Sequence, residues 1–327
     1  MKQIIKKGSF LTLMFMLLGC LSLYAADNDL ITKQITITLE KAGTLPDSIG
    51  SSKKYKITNL KIIGEINGTD LRMIREMAGS SYYNDGKLSV LDLSEAKIVE
   101  GGDCYYNDNY NNDYYTSNDV IGIYAFSYCS RLTSLTLPAG ITEIDSSAFY
   151  GCSRLTSLTL PAGITKIGSW AFCNCSGLTS LTLPAGITSI GYSAFQGCSG
   201  LTSLTLPDGI TEIVSFAFYG CSGLTSIYVY AEKVPNIDSH VFEGIDAKKC
   251  TVYVPMGTYD DYRHSIFGYY FENIVEFKAT GIDKTTISTD VEEVTRYSVN
   301  GQRLSAPTKG LNVVKYSDGS VKKVAVQ

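Results

Sequence analysis

The chain has 327 residues and a formal net charge of −4, from 28 Lys and Arg against 32 Asp and Glu. This acidic balance, without basic runs, excludes a nucleic-acid-binding class, because phosphates need clustered Lys and Arg. Since His240 and His264 are the only histidines, the composition also excludes a multi-histidine metal or catalytic centre. The length predicts about two domains.

Residues 1–25 have the pattern of an export signal peptide. Three lysines among the first seven residues precede an apolar stretch over 10–18, and Leu23-Tyr24-Ala25 is typical of a cleavage site. The apolar stretch is too short to remain as a membrane span. A second ending competes with it, because the segment that ends in Gly19-Cys20 resembles a bacterial lipobox, in which Cys20 is lipidated. Both endings predict a protein that leaves the cytoplasm.

Residues 26–56 are polar and atypical, and they predict an N-terminal cap for a repeat domain at 57–277. The alternating stretch Ile35–Leu39 predicts a strand within this cap. Two weak copies of an L-x-x-L-x-L frame follow, one beginning at Ile57 and the other at Leu88. The repeat domain is therefore expected to begin before its most regular part.

An insertion over residues 100–119 separates Ile98 from Ile121, which occupy successive repeat positions. It is rich in Asn, Asp and Gly, and its tyrosines are Tyr105, Tyr106, Tyr110, Tyr114 and Tyr115. Tyrosine among small polar residues is typical of recognition loops. A low-complexity excursion is the alternative. Calcium binding by the four aspartates is not favoured, because the EF-hand spacing is missing.

Regular repeats of 23 residues occupy 121–227. The segment LTSLTLPAGIT stands unchanged at 132, 155 and 178, and columns of Phe and Cys keep the same step over five copies. A period in the twenties that contains L-x-x-L-x-L is the signature of leucine-rich repeats. Each S-L-T-L predicts a short strand ended by proline, and each A-F-x-x-C predicts a short helical or 3₁₀ turn. The predicted fold is a repeat solenoid of stacked parallel strands.

The repeat unit L-x-x-L-x-L-P-x-x-I-x-x-I-x-x-x-A-F-x-x-C resembles the BspA-like leucine-rich repeat. The resemblance covers about residues 57–277 and is most specific between Leu132 and Ser226. It implies a right-handed coil and a bacterial surface or secreted protein. It also implies adhesion to host matrix proteins or to other bacteria.

The cysteine column invites a redox or metal interpretation, which the geometry of a parallel stack disfavours. The stack points every Cβ the same way, so buried apolar thiols are expected in place of disulfides. Cys173-x-Cys175 has no second pair to complete a zinc site. Because no nucleophile elbow, Walker or dinucleotide glycine motif is present, we predict no enzyme activity and no cofactor.

Two surfaces of the solenoid are candidates for partner binding. On the strand face, outward residues form a row of Thr136, Thr159, Thr182 and Thr205 that ends in Tyr228 and Tyr253. The row suits contact with a protein or glycan, although solvated β-formers are the alternative. In the turns, the variable slot before Ala-Phe holds the single tryptophan, Trp170. Trp170 is expected either to pack on a neighbouring turn or to form a contact ridge.

Residues 278–290 are a predicted linker, and residues 291–327 are a predicted small antiparallel β domain. Alternating apolar residues flank Asn300-Gly301 and Asp318-Gly319, which predicts two hairpins. The pattern Tyr297-x-x-x-Gly301-x-x-Leu304 is similar to the sorting domain of the type IX secretion route. Gly310-Leu311-Asn312 departs from the G-x-Y of that domain.

The sequence therefore predicts an exported surface or secreted protein that binds an extracellular protein or glycan without catalysis. A structural spacer of the cell envelope without a specific ligand is the main alternative, and an unrecognised enzyme is the third.

Overall fold

The structure is a computed structural model that describes residues 30–80, 85–108, 110–278, 293–298, 303–304, 310–316 and 321–326. The chain divides into two units, Met1–Lys278 and Ala279–Gln327. The predictions for the signal peptide, for Cys20 and for the linker beyond residue 278 lie outside the described residues. None of the helices in the described part has the length and hydrophobicity of a membrane-spanning segment.

The first unit is a coil of stacked repeats whose strand face consists of two five-stranded parallel sheets. The first sheet contains β1 (Ile35–Leu39), β2 (Asn59–Ile66), β3 (Val90–Ile98), β7 (Ser134–Thr136) and β9 (Ser157–Thr159) in that order. The second sheet contains β11 (Ser180–Thr182), β13 (Ser203–Leu206), β15 (Ser226–Val229), β17 (Thr251–Pro255) and β18 (Asn273–Phe277). Parallel stacking of short strands confirms the predicted solenoid, while its right-handed sense stays a prediction.

A second side of the coil is one continuous six-stranded parallel sheet of two-residue strands. It contains β6 (Val120–Ile121), β8 (Glu143–Ile144), β10 (Lys166–Ile167), β12 (Ser189–Ile190), β14 (Glu212–Ile213) and β16 (Asn236–Ile237). In these strands Ile144, Ile190 and Ile213 point inward and are fully buried. The outward partners are polar, as the ion pair between Lys166 and Glu143 shows.

The third side, the turn side, is formed by the A-F-x-x-C segments, whose hydrogen bonds have the spacing of the predicted 3₁₀ turn and not of an α-helix. The amides of Tyr150 and Cys152 bond carbonyls three residues back, whereas the amides of Phe149 and Gly151 bond the next coil, at 2.7 and 2.8 Å. Ser147 and Gly151 have positive φ values of 55° and 73°. Left-handed residues at two positions interrupt a right-handed helix, so the segment folds as consecutive turns.

Apolar ladders fill the interior of the coil. The phenylalanine ladder consists of fully buried rings stacked at centroid distances of 5.0 to 5.3 Å, Phe126, Phe149, Phe172, Phe195 and Phe218. The cysteine column lies beside it, and its members are free thiols. Each of four thiols donates to a phenylalanine carbonyl of the preceding coil, as Cys152 Sγ does to Phe126 at 3.0 Å. The thiols therefore fill space and also satisfy backbone acceptors.

The N-terminal part of the first unit adds two helices and a hairpin to the coil. The helices are α1 (Leu45–Ile49) and α2 (Gly68–Met77), and the insertion forms an antiparallel hairpin of β4 (Gly101–Asn107) and β5 (Asp113–Thr116). The fully buried Asp70 joins these segments, because its carboxylate accepts from the amides of Gly43, Leu45 and Asn67 at 2.6 to 2.9 Å. One carboxylate thus ties α1 to the start of α2.

The coil ends with two short helices before β18. They are α3 (Tyr259–Arg263) and α4 (Ile266–Tyr270). The buried Tyr262 of α3 donates its hydroxyl to the carbonyl of Ala231 at 2.7 Å, which anchors the helix to the last coils.

The second unit contains a four-stranded antiparallel sheet. Its strands are β19 (Glu293–Ser298), β20 (Arg303–Leu304), β21 (Gly310–Tyr316) and β22 (Val321–Val326), in the order β20-β19-β21-β22. These strands flank the two predicted turns, Asn300-Gly301 and Asp318-Gly319, which lie outside the described residues.

Candidate functional site

One outward column runs along the strand face and changes chemistry from end to end. In the first sheet Lys61 pairs with Asp92, Asp92 with Thr136, and Thr136 with Thr159. In the second sheet the column continues as Thr182, Thr205, Tyr228, Tyr253 and Val275. The column is charged at its N-terminal end, hydroxyl-bearing in the middle and aromatic at its C-terminal end.

The threonines of the repeat fall into two classes. In the L-T-S segment, the hydroxyls of Thr156, Thr202 and Thr225 donate to the carbonyl 23 residues earlier at 2.9 to 3.1 Å, so they stabilise the stack. The outward row differs: Thr136, Thr159 and Thr182 are exposed and Thr205 is half-buried. Among the described residues the row's hydroxyls form no hydrogen bond, so they remain free to contact a partner.

The strand face is interrupted between β9 and β11, which belong to different sheets. The predicted threonine row is therefore divided into Thr136–Thr159 and Thr182–Thr205. Identical LTSLTLPAGIT segments lie on both sides of the interruption, so the repeated residues alone do not explain it. The correction matters because only the second half of the row is continuous with the tyrosines.

The aromatic patch, which consists of Tyr228, Tyr230, Tyr253 and Phe277, lies at the C-terminal end of this face. The rings of Tyr228 and Tyr253 stack at 4.5 Å with an interplanar angle of 8°. Phe277 meets Tyr230 and Tyr228 edge-on at 5.1 and 6.3 Å. All four rings are half-buried. Burial, followed by the neighbouring tyrosines, raises the pKa of Tyr228, which therefore stays a neutral hydroxyl donor.

The sequence predicted only the two tyrosines of the threonine row. Tyr230 and Phe277 were missed because they lie just beyond the strand segments that the repeat pattern marks. The position of Phe277 could have been inferred, because it lies two residues after Val275, which pairs with Tyr253 in the adjacent strand, and so faces the same side.

The insertion is a hairpin packed on α2, and it separates its tyrosines into buried and exposed ones. Tyr105 is 3% exposed and donates its hydroxyl to the carbonyl of Ile123 at 2.8 Å, which corrects its prediction as a contact residue. The rings of Tyr106 and Tyr114 lie 5.9 Å apart, and both pack on Tyr124. Only Tyr110 at 85% and Tyr115 at 54% are well exposed.

Asp108 organises the tip of this hairpin. Its carboxylate accepts from the amides of Tyr110 and Asn112, from the Asn112 side chain and from the Tyr114 hydroxyl. The bonds from Asn112 in particular lower the pKa of Asp108. This carboxylate is committed to the turn, and within the described residues no cluster of His, Cys, Asp or Glu has the geometry of a metal site.

Trp170 begins an aromatic ridge on the turn side. Trp170 is 42% exposed and meets Tyr192 edge-on at 5.2 Å, Tyr192 meets Phe216 at 5.6 Å, and Phe216 stacks on His240 at 5.0 Å. In the next repeat, the position equivalent to Trp170 is the buried Ser193. The preceding residue, Tyr192, is exposed and continues the ridge. The two interpretations of Trp170 therefore coexist, since it packs on its neighbour and stays partly exposed.

Residues 119–249 match the BspA type leucine rich repeat region, in six copies. These BspA-type repeats coincide with the stacked coils of β6 to β16 and with the phenylalanine ladder. Comparison with curated proteins gives no match.

Three solved structures illustrate the similarity. The Treponema pallidum leucine rich repeat protein is 25% identical over 48% of this chain and 79% of that chain, with a TM-score of 0.36. A leucine rich cell surface protein from Faecalibacterium prausnitzii is 17% identical over 63% and 66%, with a TM-score of 0.35. The pneumococcal vaccine antigen PcpA is 15% identical over 75% and 68%, with a TM-score of 0.35.

Proposed function

We propose that this protein is an exported, surface-displayed or secreted leucine-rich-repeat protein that binds an extracellular protein or glycan and catalyses no reaction. The stacked pair of Tyr228 and Tyr253 carries the proposal. The match of residues 119–249 to BspA-type repeats supports an interaction role, because stacked repeats build extended binding surfaces.

The aromatic patch suits recognition by shape. Its tyrosines combine a large apolar ring with a hydroxyl, and strands β15 and β17 hold the rings in one arrangement, so little side-chain entropy is lost on binding. Free hydroxyls of Thr182 and Thr205 extend the patch along the same column. Along the threonine part of the column charge contributes little, since only seven of the residues between 130 and 227 are Asp, Glu, Lys or Arg.

Export and sorting complete the proposal. Residues 1–25 would direct the chain out of the cytoplasm, with cleavage near Ala25 or lipidation of Cys20. Residues 291–327 would act as a domain similar to those of the type IX route. Mass spectrometry of the mature N-terminus distinguishes the two endings, because a lipidated Cys20 adds the mass of acyl chains. Adhesion to host matrix proteins or to other bacteria is the proposed use of the binding face.

The proposal is tested by a binding comparison between matched variants. The wild-type chain, a Tyr228→Ala/Tyr253→Ala variant and a Tyr192→Ala control are immobilised and exposed to host matrix extract, bacterial surface extract and a glycan array. The control removes an exposed tyrosine from the turn side and leaves the strand face intact. We expect one class of ligand to bind the wild type and the control, and to lose at least tenfold affinity for the double variant.

Two results would contradict the proposal. Equal binding by the double variant would remove the aromatic patch from the binding face. If none of the three probes binds the wild type, the envelope spacer would become the better description of the protein.

A further inference from the structure

A cavity of about 280 Å³ lies between α2 and the insertion hairpin, at the opposite end of the coil from the aromatic patch. Its wall includes Arg72 and Arg75 of α2, Ser80 just after that helix, and Tyr106 and Asn107 of β4. Arg72 and Arg75 are three residues apart and therefore share one face of α2. The cavity is thus lined by two cations and by hydrogen-bonding groups.

Arg75 supplies a buried positive charge. It is 3% exposed, its Nη1 donates to the carbonyls of Tyr124 and Ala125, and its guanidinium lies 4.7 Å from the ring centroid of Tyr106. A guanidinium has five N–H donors, and these two carbonyls engage only one of its nitrogens. Among the described residues no carboxylate forms an ion pair with Arg75. Burial of a charge without a counter-ion is costly, so the site favours an anion.

The charge of Arg75 reaches the groups around the cavity. Burial raises the pKa of Tyr105, and the positive charge of Arg75 opposes that rise. Asp145 acts on Tyr105 in the other direction, and among the described residues it forms no ion pair with Arg75. Both charges therefore act on the Tyr105 hydroxyl at the cavity wall.

Arg72 contributes a second guanidinium at the cavity wall. Its Nε donates to the carbonyl of Cys104 at 2.7 Å, which fixes the side chain against β4. Its Nη1 lies 4.0 Å from the Asp103 carboxylate, and both groups are well exposed to solvent. A pair at this distance in water is weak, so Arg72 keeps most of its charge for a ligand.

Ser80 provides evidence for a ligand site that does not depend on the two arginines. Its side chain is 1% exposed, and its Oγ is a buried polar atom with no hydrogen-bond partner among the described residues. Buried hydroxyls are almost always paired, because an unmade bond costs about 1–3 kcal/mol. Ser80 lines the same cavity as the two arginines. A serine and two arginines thus line one small volume.

We propose that this cavity binds a single carboxylate group, with Arg75 as its charge partner and Ser80 Oγ and Arg72 as further donors. The planar fork of a guanidinium matches the two oxygens of a carboxylate, which can accept two parallel hydrogen bonds from it. The carboxylate belongs to an acidic sugar or to an acidic amino acid, and the two sources are separated by the choice of probe. The site is independent of the aromatic patch, so failure of either leaves the other intact.

The test is calorimetric titration of the full chain at constant ionic strength with acetate, glucuronate, N-acetylglutamate and sulfate. We expect saturable binding of the carboxylates and weaker binding of sulfate. Tighter binding of glucuronate than of N-acetylglutamate would indicate an acidic sugar as the source of the carboxylate, and the reverse order would indicate an acidic amino acid. In Ser80→Ala the carboxylate affinity falls roughly tenfold, because a hydrogen bond to a charged group is lost. In Arg72→Gln it falls by a similar factor.

Ser127→Ala is the matched control. Ser127 is also 1% exposed with an unpartnered Oγ, but it does not line the cavity. Its substitution is expected to leave carboxylate affinity unchanged. Both serine variants remove an unpaired hydroxyl and should fold, so Arg75, whose loss endangers folding, need not be changed.

Three results would overturn the proposal. They are absence of saturable carboxylate binding by the wild type, equal affinity in Ser80→Ala and wild type, and tighter binding of sulfate than of every carboxylate. The Tyr228→Ala/Tyr253→Ala variant should keep wild-type carboxylate affinity, which separates this site from the proposed function.

Discussion

The N-terminal part of the first unit, residues 30–119, and the regular array, residues 120–249, solve the same packing problem in different ways. In the array, the same side chain contacts its own equivalent 23 residues away, as the phenylalanine ladder shows. In the N-terminal part, single polar residues such as Asp70 and Arg75 bridge different segments. The buried charged side chains of the described chain, Asp70 and Arg75, are both in the N-terminal part.

This difference places the candidate sites. In a ladder of identical residues each side chain packs on its own equivalent, since each coil completes the one before it. The two proposed sites lie where the repetition stops: the cavity beside α2 at one end, and the aromatic patch where tyrosine replaces threonine at the other. In both proposals the array is the scaffold, and its two ends carry the proposed sites.

Removal of one ring from the phenylalanine ladder is expected to have the largest effect on stability. Phe172 is fully buried between Phe149 and Phe195, at 5.0 and 5.1 Å. Phe172→Ala is expected to lower the free energy of unfolding by about 3–5 kcal/mol, through lost burial and a cavity that neighbours cannot close. Denaturant unfolding followed by circular dichroism measures it.

Tyr110→Ala, at the exposed tip of the insertion, is the control and should change the free energy of unfolding by no more than about 0.5 kcal/mol. A cost below about 1 kcal/mol for Phe172→Ala would mean that stacked rings do not stabilise the array.

The next largest effect is expected from Asp70, which tests the polar bridging of the N-terminal part. Asp70→Ala leaves three amides without an acceptor in a buried environment, so the free energy of unfolding should fall by about 2–4 kcal/mol. Hydrogen exchange at the amides of Gly43 and Leu45 should accelerate, which distinguishes loss of the bridge from a general loss of stability.

Asp92→Ala is the matched control for that substitution. Asp92 lies on the outward strand column and pairs with the half-buried Lys61 at 3.5 Å. Because surface ion pairs contribute little, this change should cost about 0–1 kcal/mol. Equal costs for the two aspartates would mean that burial of the Asp70 bridge is unimportant.

The sequence predicted the array well because the repeat is long and the same residue type recurs at each core position. A leucine, phenylalanine or cysteine that recurs every 23 residues can only stack on itself in a solenoid, so the strands, the Phe ladder and the buried thiols followed. Alternation within S-L-T-L also placed these threonines on the outward side of their strands, but it did not predict the interruption between β9 and β11.

What the sequence could not predict depends on contacts between different segments. Tyr105 and Tyr115 are indistinguishable in a polar loop, yet hairpin pairing buries one and exposes the other. The pairing of Arg75 with carbonyls about 50 residues away has no local signal. The left-handed turns did have one, because glycine or asparagine often precedes the column cysteine, as at Gly151 and Asn174.

A third test exploits the buried thiols of the array through pH. Burial raises the pKa of Cys221 from 9.0 to about 12. The unfolded thiol ionises first, so the folded state holds one more proton between these values, and the free energy of unfolding must fall as pH rises. The slope due to this thiol is at most about 1.4 kcal/mol per pH unit.

Cys221→Ala isolates that contribution. The wild type and the variant are unfolded by denaturant at several pH values from 8 to 11, and their free energies of unfolding should converge as pH rises above 9. Parallel curves would show that the Cys221 thiol is not held protonated by the fold.

The smallest expected effect separates the two classes of threonine within the array. The hydroxyl of Thr202 donates to the carbonyl of Thr179 at 2.9 Å, whereas that of Thr182 has no partner among the described residues. Thr202→Val should lower the free energy of unfolding by about 0.5–1.5 kcal/mol, because the substitution keeps the shape and removes one hydrogen bond. Thr182→Val should stay within about 0.5 kcal/mol of wild type in the same denaturant assay. If valine is tolerated equally at both positions, the bonds between threonines of successive coils do not stabilise the stack, and the array depends on its apolar ladders alone.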